Sequence, residues 1–195
     1  MSRARKPGVS FNSPVILSFT AICFVALLLG YVTKSTTTDL LFSVYRSSPL
    51  SLLTYVRLIG HVFGHAGWEH FIGNIMLLLV VGPLLEEKYG SYNILFVILA
   101  TAVITGVVHC LLFPNVRLLG ASGVVFAFIL LASLTSIKTG SIPLTFILVA
   151  VIYMGQQVYE GIFLQDNVSN LTHIFGGIVG AGLGYVMNKK RMNRY

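Results

Sequence analysis

Ser122 sits between glycines in Gly120-Ala121-Ser122-Gly123. A serine hydroxyl is a weak nucleophile until a neighbouring base takes its proton. The flanking glycines let other backbone come close and leave the N–H groups of a helix start free to face an anion. The same four residues also read as a helix cap or a small packing site. A base is available in His173. On a helix, its face continues through Gly176, Gly177, Gly180, Ala181 and Gly184, every one of them small. Such a face lets a second helix pack with its backbone almost in contact. Helix dimerisation accounts for that stripe but not for the histidine at its head, and Ser122 is the obvious side chain for it to reach. Phe126 lies one turn beyond Ser122 on the same face, where its ring can hold the imidazole. It reads equally well as a lipid-facing or core aromatic. His70 and Asn74 are four apart and share one helix face. Both donate hydrogen bonds. Two donors beside a nucleophile stabilise an oxyanion, typically by about 3–4 kcal/mol each; an interhelical hydrogen-bonded pair is the alternative.

His61, His65 and His70 raise the question of a metal, since a spacing of four is common among ligands. No HExxH arrangement accompanies them, neither cysteine is near, and Glu69 is the only adjacent carboxylate. The expectation is no metal and no cofactor. A transporter or enzyme built on His61, His65, His70 and His173 stands as an alternative.

The elements that must position these residues are set by composition. The chain has 195 residues, 55% hydrophobic and only 10% charged, with a mean hydropathy of +0.84. Soluble domains carry about 25% charged residues, so most of this surface must face lipid. Between Tyr89 and Ile137 the only ionised side chain is Arg117, and between Thr139 and Tyr159 there is none. About 20 helical residues cross the hydrocarbon core. Six apolar segments predict helices at about 14–32, 70–85, 92–113, 120–137, 143–163 and 171–187. They form one domain over 14–188, between a basic cytoplasmic segment at 1–13 and a basic cytoplasmic tail at 189–195. A polar loop of roughly 35 residues separates the first two segments. Tyr89-Gly90-Ser91, Phe113-Pro114-Asn115 and Thr139-Gly140-Ser141-Ile142-Pro143 supply turn chemistry, with Pro143 suited to a first helical turn.

An even number of spans puts both termini on one side. That side then holds Arg3, Arg5, Lys6, Lys88, Lys138, Lys189, Lys190, Arg191 and Arg194, against Lys34, Arg46, Arg57 and Arg117 opposite. The bias predicts cytoplasmic termini. It also argues against nucleic acid as a partner, because the net charge of +7 is scattered between apolar spans. The basic start followed by an apolar run imitates a signal peptide, but Tyr31-Val32-Thr33-Lys34 is no cleavage site, so a retained anchor helix is expected. Cys23 and Cys110 fall inside apolar runs and are expected to be free thiols. Asn170-Leu171-Thr172 matches a glycosylation sequon at a place that makes its use improbable. In this topology spans two, four and six begin on the non-cytoplasmic side, so His70, Asn74, Ser122 and His173 share one depth. Polar side chains inside spans are functional candidates by default.

Histidine-x3-asparagine, then GxSG, then a histidine above a glycine-rich helix, in that order, resembles the rhomboid intramembrane proteases. The likeness runs from about Tyr55 to Tyr185. It includes the stretch from Arg57 through His61, His65, Trp68 and His70 to Asn74, the turn Glu86-Glu87-Lys88-Tyr89-Gly90-Ser91, and Thr172-His173-Ile174-Phe175-Gly176-Gly177. The resemblance implies an all-α, six-transmembrane-helix bundle in the inner membrane of a prokaryote. It implies a serine endopeptidase that cuts transmembrane protein substrates in or near their spans, with Ser122 as nucleophile and His173 as base. No third acidic residue takes part, and Glu160 is the only Asp or Glu inside the predicted spans. His70, Asn74 and the Ser122 N–H would form the oxyanion hole, and Gly120, Gly123, Phe126, Gly176, Gly177 and Gly180 would support it. Family members often carry tyrosine where Phe126 stands, and Val56-Arg57 replaces the family's tryptophan-arginine pair. A non-catalytic member that binds membrane clients is the remaining alternative. The sequence leaves the oligomeric state open.

Overall fold

A computed structural model describes residues 11–134, 142, 144–163 and 167–192, without the side chains of 153–154, 156–169 and 189–192. Arg3, Arg5, Lys6, Lys138, Pro143, Arg194 and the turn at 139–141 lie outside the described residues, as do the side chains of Lys189, Lys190 and Arg191. The chain is an all-α membrane bundle. Each predicted apolar segment is a helix: α1 (Pro14–Val32), α4 (Trp68–Tyr89), α5 (Ser91–Leu112), α6 (Ser122–Ser133), α7 (Leu144–Phe163) and α8 (Asn167–Met192). Among the described residues α1, α4 and α5 are each long and apolar enough to cross a membrane. Large apolar side chains face outward along them, including Met76, Val80 and Leu84 at more than 60% exposure. That is the surface expected where the solvent is lipid.

The predicted polar loop between the first two spans holds two helices, α2 (Thr36–Leu41) and α3 (Leu52–Gly60), and a 3₁₀ turn at His61–Phe63. Arg57 organises it from a buried position. Its Nε donates to the Leu40 carbonyl at 2.9 Å, and its guanidinium lies 4.4 Å from the Tyr45 ring centroid. Glycines let the segment pack without gaps: a Cβ on Gly60 or Gly64 would collide with the carbonyl oxygen of Leu41 or Phe42. On its outer side α3 leaves Leu52, Tyr55 and Val56 exposed.

Three boundaries differ from expectation. α4 begins at Trp68 and runs to Tyr89, so it takes in Glu69, Glu86 and Glu87 at its two ends. α8 begins at Asn167, placing His173 in its second turn rather than at its start. α6 begins at Ser122 rather than Gly120, because Gly120 holds φ +132, outside any helix.

Two buried polar groups fix the end of the bundle away from these helix starts. Glu86 accepts from the backbone N–H groups of Val15 and Ile16, both at 3.0 Å, and from Ser91 Oγ at 2.7 Å. A carboxylate there satisfies orphan donors at the start of α1 and complements its dipole. Asn188 Nδ2 donates to Tyr89 Oη, Leu134 O and Gly184 O, joining α8 to the far ends of α4 and α6. Between these ends the core is built mainly from apolar side chains, with Ile16, Leu78, Ile94, Val97, Val124 and Leu131 fully buried. Both cysteines are free thiols, Cys23 buried and Cys110 half-buried.

Candidate active site

α6 and α8 pack backbone to backbone. A Cβ on Gly176 would overlap the Gly123 carbonyl oxygen, and one on Gly180 would overlap that of Ala127. At Gly184 it would meet Leu131 and Leu134 side chains at 3.0 and 3.1 Å. Gly177, on the same helix, is buried. The small-residue stripe below His173 thus faces the helix that Ser122 begins. His173 and Phe126 stack across this junction, with centroids 4.3 Å apart and planes 6° from parallel.

Ser122 and His173 line one cavity of about 450 Å³ together with Phe126, Val125, Leu118 and Leu119. Its opposite wall is α4, which contributes Glu69, His70, Gly73, Asn74 and Leu77. Four polar residues spread over a hundred positions of sequence therefore meet at one site. The His70 ring covers Gly120: a Cβ there would stand 2.8 Å from both Cε1 and Nε2, and 3.8 Å from Ser122 Oγ. The Ala66 N–H points at His70 Nδ1 at 3.5 Å. In the neutral ring this leaves the hydrogen on Nε2, the atom nearest Gly120. Asn74 is buried, and its Nδ2 donates to the His70 carbonyl at 2.9 Å. An amide nitrogen carries two hydrogens, so a second donation remains available.

The irregular segment before Ser122 is held by the polar loop between α1 and α4, residues 33–67, here loop one. Val44 and Leu118 exchange a pair of backbone hydrogen bonds at 2.8 and 2.9 Å, and the Gly120 N–H donates to the His61 carbonyl at 2.9 Å. Arg117 forms an ion pair with Asp39. Non-helical backbone beside lipid-facing helices is tolerated only where protein satisfies its polar groups, and these contacts do so. None was visible in the sequence, because Val44 and Asp39 carry no motif. The walls Leu118, Leu119, Leu77 and Val125 were missed for the same reason: they are ordinary apolar residues.

The histidines of loop one are spent on structure. His61 is fully buried, with Nδ1 on the Arg57 carbonyl at 3.2 Å and Nε2 on Thr105 Oγ1 at 3.4 Å. Burial lowers its pKa to about 4. His65 places Nδ1 at the Phe63 carbonyl, 3.2 Å away, and its ring meets His70 edge-on at 5.1 Å. Burial, and secondarily the charge that His70 would carry, lower its pKa to about 4 as well. Among the described residues no three His, Cys, Asp or Glu side chains are grouped to hold a metal ion.

Comparison with known proteins places the rhomboid domain on residues 53–190. Rhomboid-related protein 1 of Caenorhabditis elegans is 29% identical over 140 residues, 67% of this chain and 39% of that protein. Rhomboid protease GluP of Bacillus subtilis is 28% identical over 171 residues, 85% of this chain and 32% of that one. Rhomboid protease GlpG of Haemophilus influenzae is 25% identical over 140 residues, 70% of this chain and 72% of that one. The chain spans less than half the length of the two rhomboid-related proteins it matches.

Proposed function

The chain belongs to the rhomboid family, and from that premise we propose that it is an intramembrane serine endopeptidase working through a Ser122–His173 dyad. The observation that carries this reading is the meeting of Ser122, His173, His70 and Asn74 on one cavity, with Phe126 stacked on the base. Its substrates are membrane proteins whose spans unwind beside that cavity.

In this mechanism His173 takes the Ser122 hydroxyl proton as Oγ attacks the scissile carbonyl carbon. The carbonyl oxygen becomes an oxyanion between the Ser122 N–H, His70 Nε2–H and the spare Asn74 amide hydrogen. The C–N bond then breaks and His173 returns its proton to the leaving amine. Water enters, gives a proton to His173 and attacks the acyl-enzyme; the acid leaves and Ser122 regains its hydrogen. A carboxylate orients the base in the familiar triad. Here the parallel ring of Phe126 fixes the imidazole plane instead.

Fluorophosphonate labelling of the purified protein in detergent tests the dyad. Wild type should label, and Ser122→Ala and His173→Ala should not. A folded wild type that stays unlabelled would turn the interpretation toward a client-binding role without cleavage.

A further inference from the structure

The catalytic cavity contains a charged group that the dyad mechanism does not use. Glu69 precedes His70 in the first turn of α4 and lines the same cavity as Ser122 and His173. Among the described residues it is the only formally charged side chain on those walls. Among the described residues it forms no ion pair; the ion pair seen there joins Arg117 to Asp39. The side chain is exposed. The other described wall residues are apolar or carry no formal charge, so Glu69 is the charge that a substrate in this cavity meets.

We propose that Glu69 is a specificity-determining residue that selects substrates carrying a lysine or arginine beside the scissile bond and disfavours acidic ones. The assignment rests on the protease reading above. A peptide with its carbonyl at Ser122 Oγ must run along the wall that holds His70, and an extended chain advances about 3.3–3.6 Å per residue. Because Glu69 and Ser122 line the same cavity, the substrate side chains that pass Glu69 are those close to the cut. The selection has consequences for the client set. Outward-facing flanks of membrane spans are poor in Lys and Arg, so a site that favours a basic residue there singles out a minority of spans.

The test uses the full chain in proteoliposomes and a single-span test protein that wild type cleaves. Versions of that protein carry Lys, Gln or Glu at each position within three residues of the cut. Wild type should rank Lys above Gln above Glu in kcat/KM at one of these positions, by on the order of five- to tenfold across the series. Glu69→Gln should flatten the ranking and Glu69→Lys should reverse it; if the lysine variant fails to fold, the glutamine variant decides. Added salt should narrow the wild-type ranking. An identical ranking in wild type and Glu69→Gln overturns the proposal. So does a uniform loss on all substrates in Glu69→Gln, which would make Glu69 a support for His173. Labelling with a neutral fluorophosphonate is run alongside. Labelling with an unchanged ranking removes this assignment alone, whereas neither labelling nor cleavage in folded wild type removes the protease reading with it.

Discussion

His70 shows how little freedom a single side chain has at this site. The Ala66 N–H directs itself at Nδ1, so the neutral ring presents Nε2–H over Gly120. Gly120 in turn must be glycine on two counts: its φ of +132 strains any side chain, and a Cβ would strike the ring. The hydrogen of Nε2 is thereby aimed before any substrate arrives, which is what makes an oxyanion donor effective. His70→Ala should lower kcat/KM about 10²- to 10³-fold, almost wholly in kcat. Steady-state kinetics on a cleaved test protein checks this. A raised KM with kcat untouched would make His70 a ground-state binding residue instead. At this scale the sequence was informative, because the chemistry resides in residue types and short spacings. Ser122, His173, His70 and Asn74 could all be named from it. The spacing does not disclose the tautomer, which depends on a backbone N–H in a loop with no recognisable pattern.

At the scale of elements, the glycine face of α8 was readable because a helical period exposes it, and the packing of Gly176 and Gly180 onto the carbonyls of Gly123 and Ala127 follows from that face. Gly180→Ala should force α6 and α8 apart and cost about 1–3 kcal/mol of stability. Gly182, on the same helix, has open space where a methyl would stand, with nothing within 4 Å, so Gly182→Ala should leave stability unchanged or slightly raised. Thermal unfolding in detergent compares the two, and equal changes would mean that the close contact at Gly180 does not govern the stability of α8. Loop one was not readable. Its helices α2 and α3 are short, and its bonds to the segment before Ser122 join residues far apart in the chain, Val44 to Leu118 and His61 to Gly120. Those bonds surround His61 and His65, whose pKa values are lowered to about 4. A lowered value means the fold holds the neutral ring. The stabilisation is full above the ordinary histidine value of about 6.5 and is lost as pH falls through about 4. Limited proteolysis should therefore find loop one protected at about pH 7.5 and progressively cut as the medium is acidified with an acid-tolerant protease. Equal cutting across that range would show that these imidazoles are not what holds the loop.

The whole molecule inverts the usual arrangement of surface and core. Large apolar side chains face outward along its spans, while buried polar groups lie at the cavity, at the Glu86 and Asn188 junctions, and around Arg57, His61 and Thr105. Hydropathy made the membrane class legible at once, because lipid demands it of every span. Orientation is a separate matter. It depends on where the basic residues stand relative to the membrane, and several of them lie outside the described residues. The cavity that Ser122 and His173 line is at the end of the bundle where α4, α6 and α8 begin, and Glu86 and Asn188 mark the opposite end. On the expectation drawn from the nine-to-four division of Lys and Arg, that opposite end faces the cytoplasm. In a variant freed of Cys23 and Cys110, a cysteine at Ser47 in loop one should react with an impermeant maleimide added to intact cells. A cysteine at Ser91, at the Glu86 end, should react only after the membrane is opened. The reverse pattern would turn the cavity toward the cytoplasm and change which flank of a substrate span is cut. Labelling of both sites in intact cells would mean mixed insertion, and the charge bias would then be too weak to set one topology.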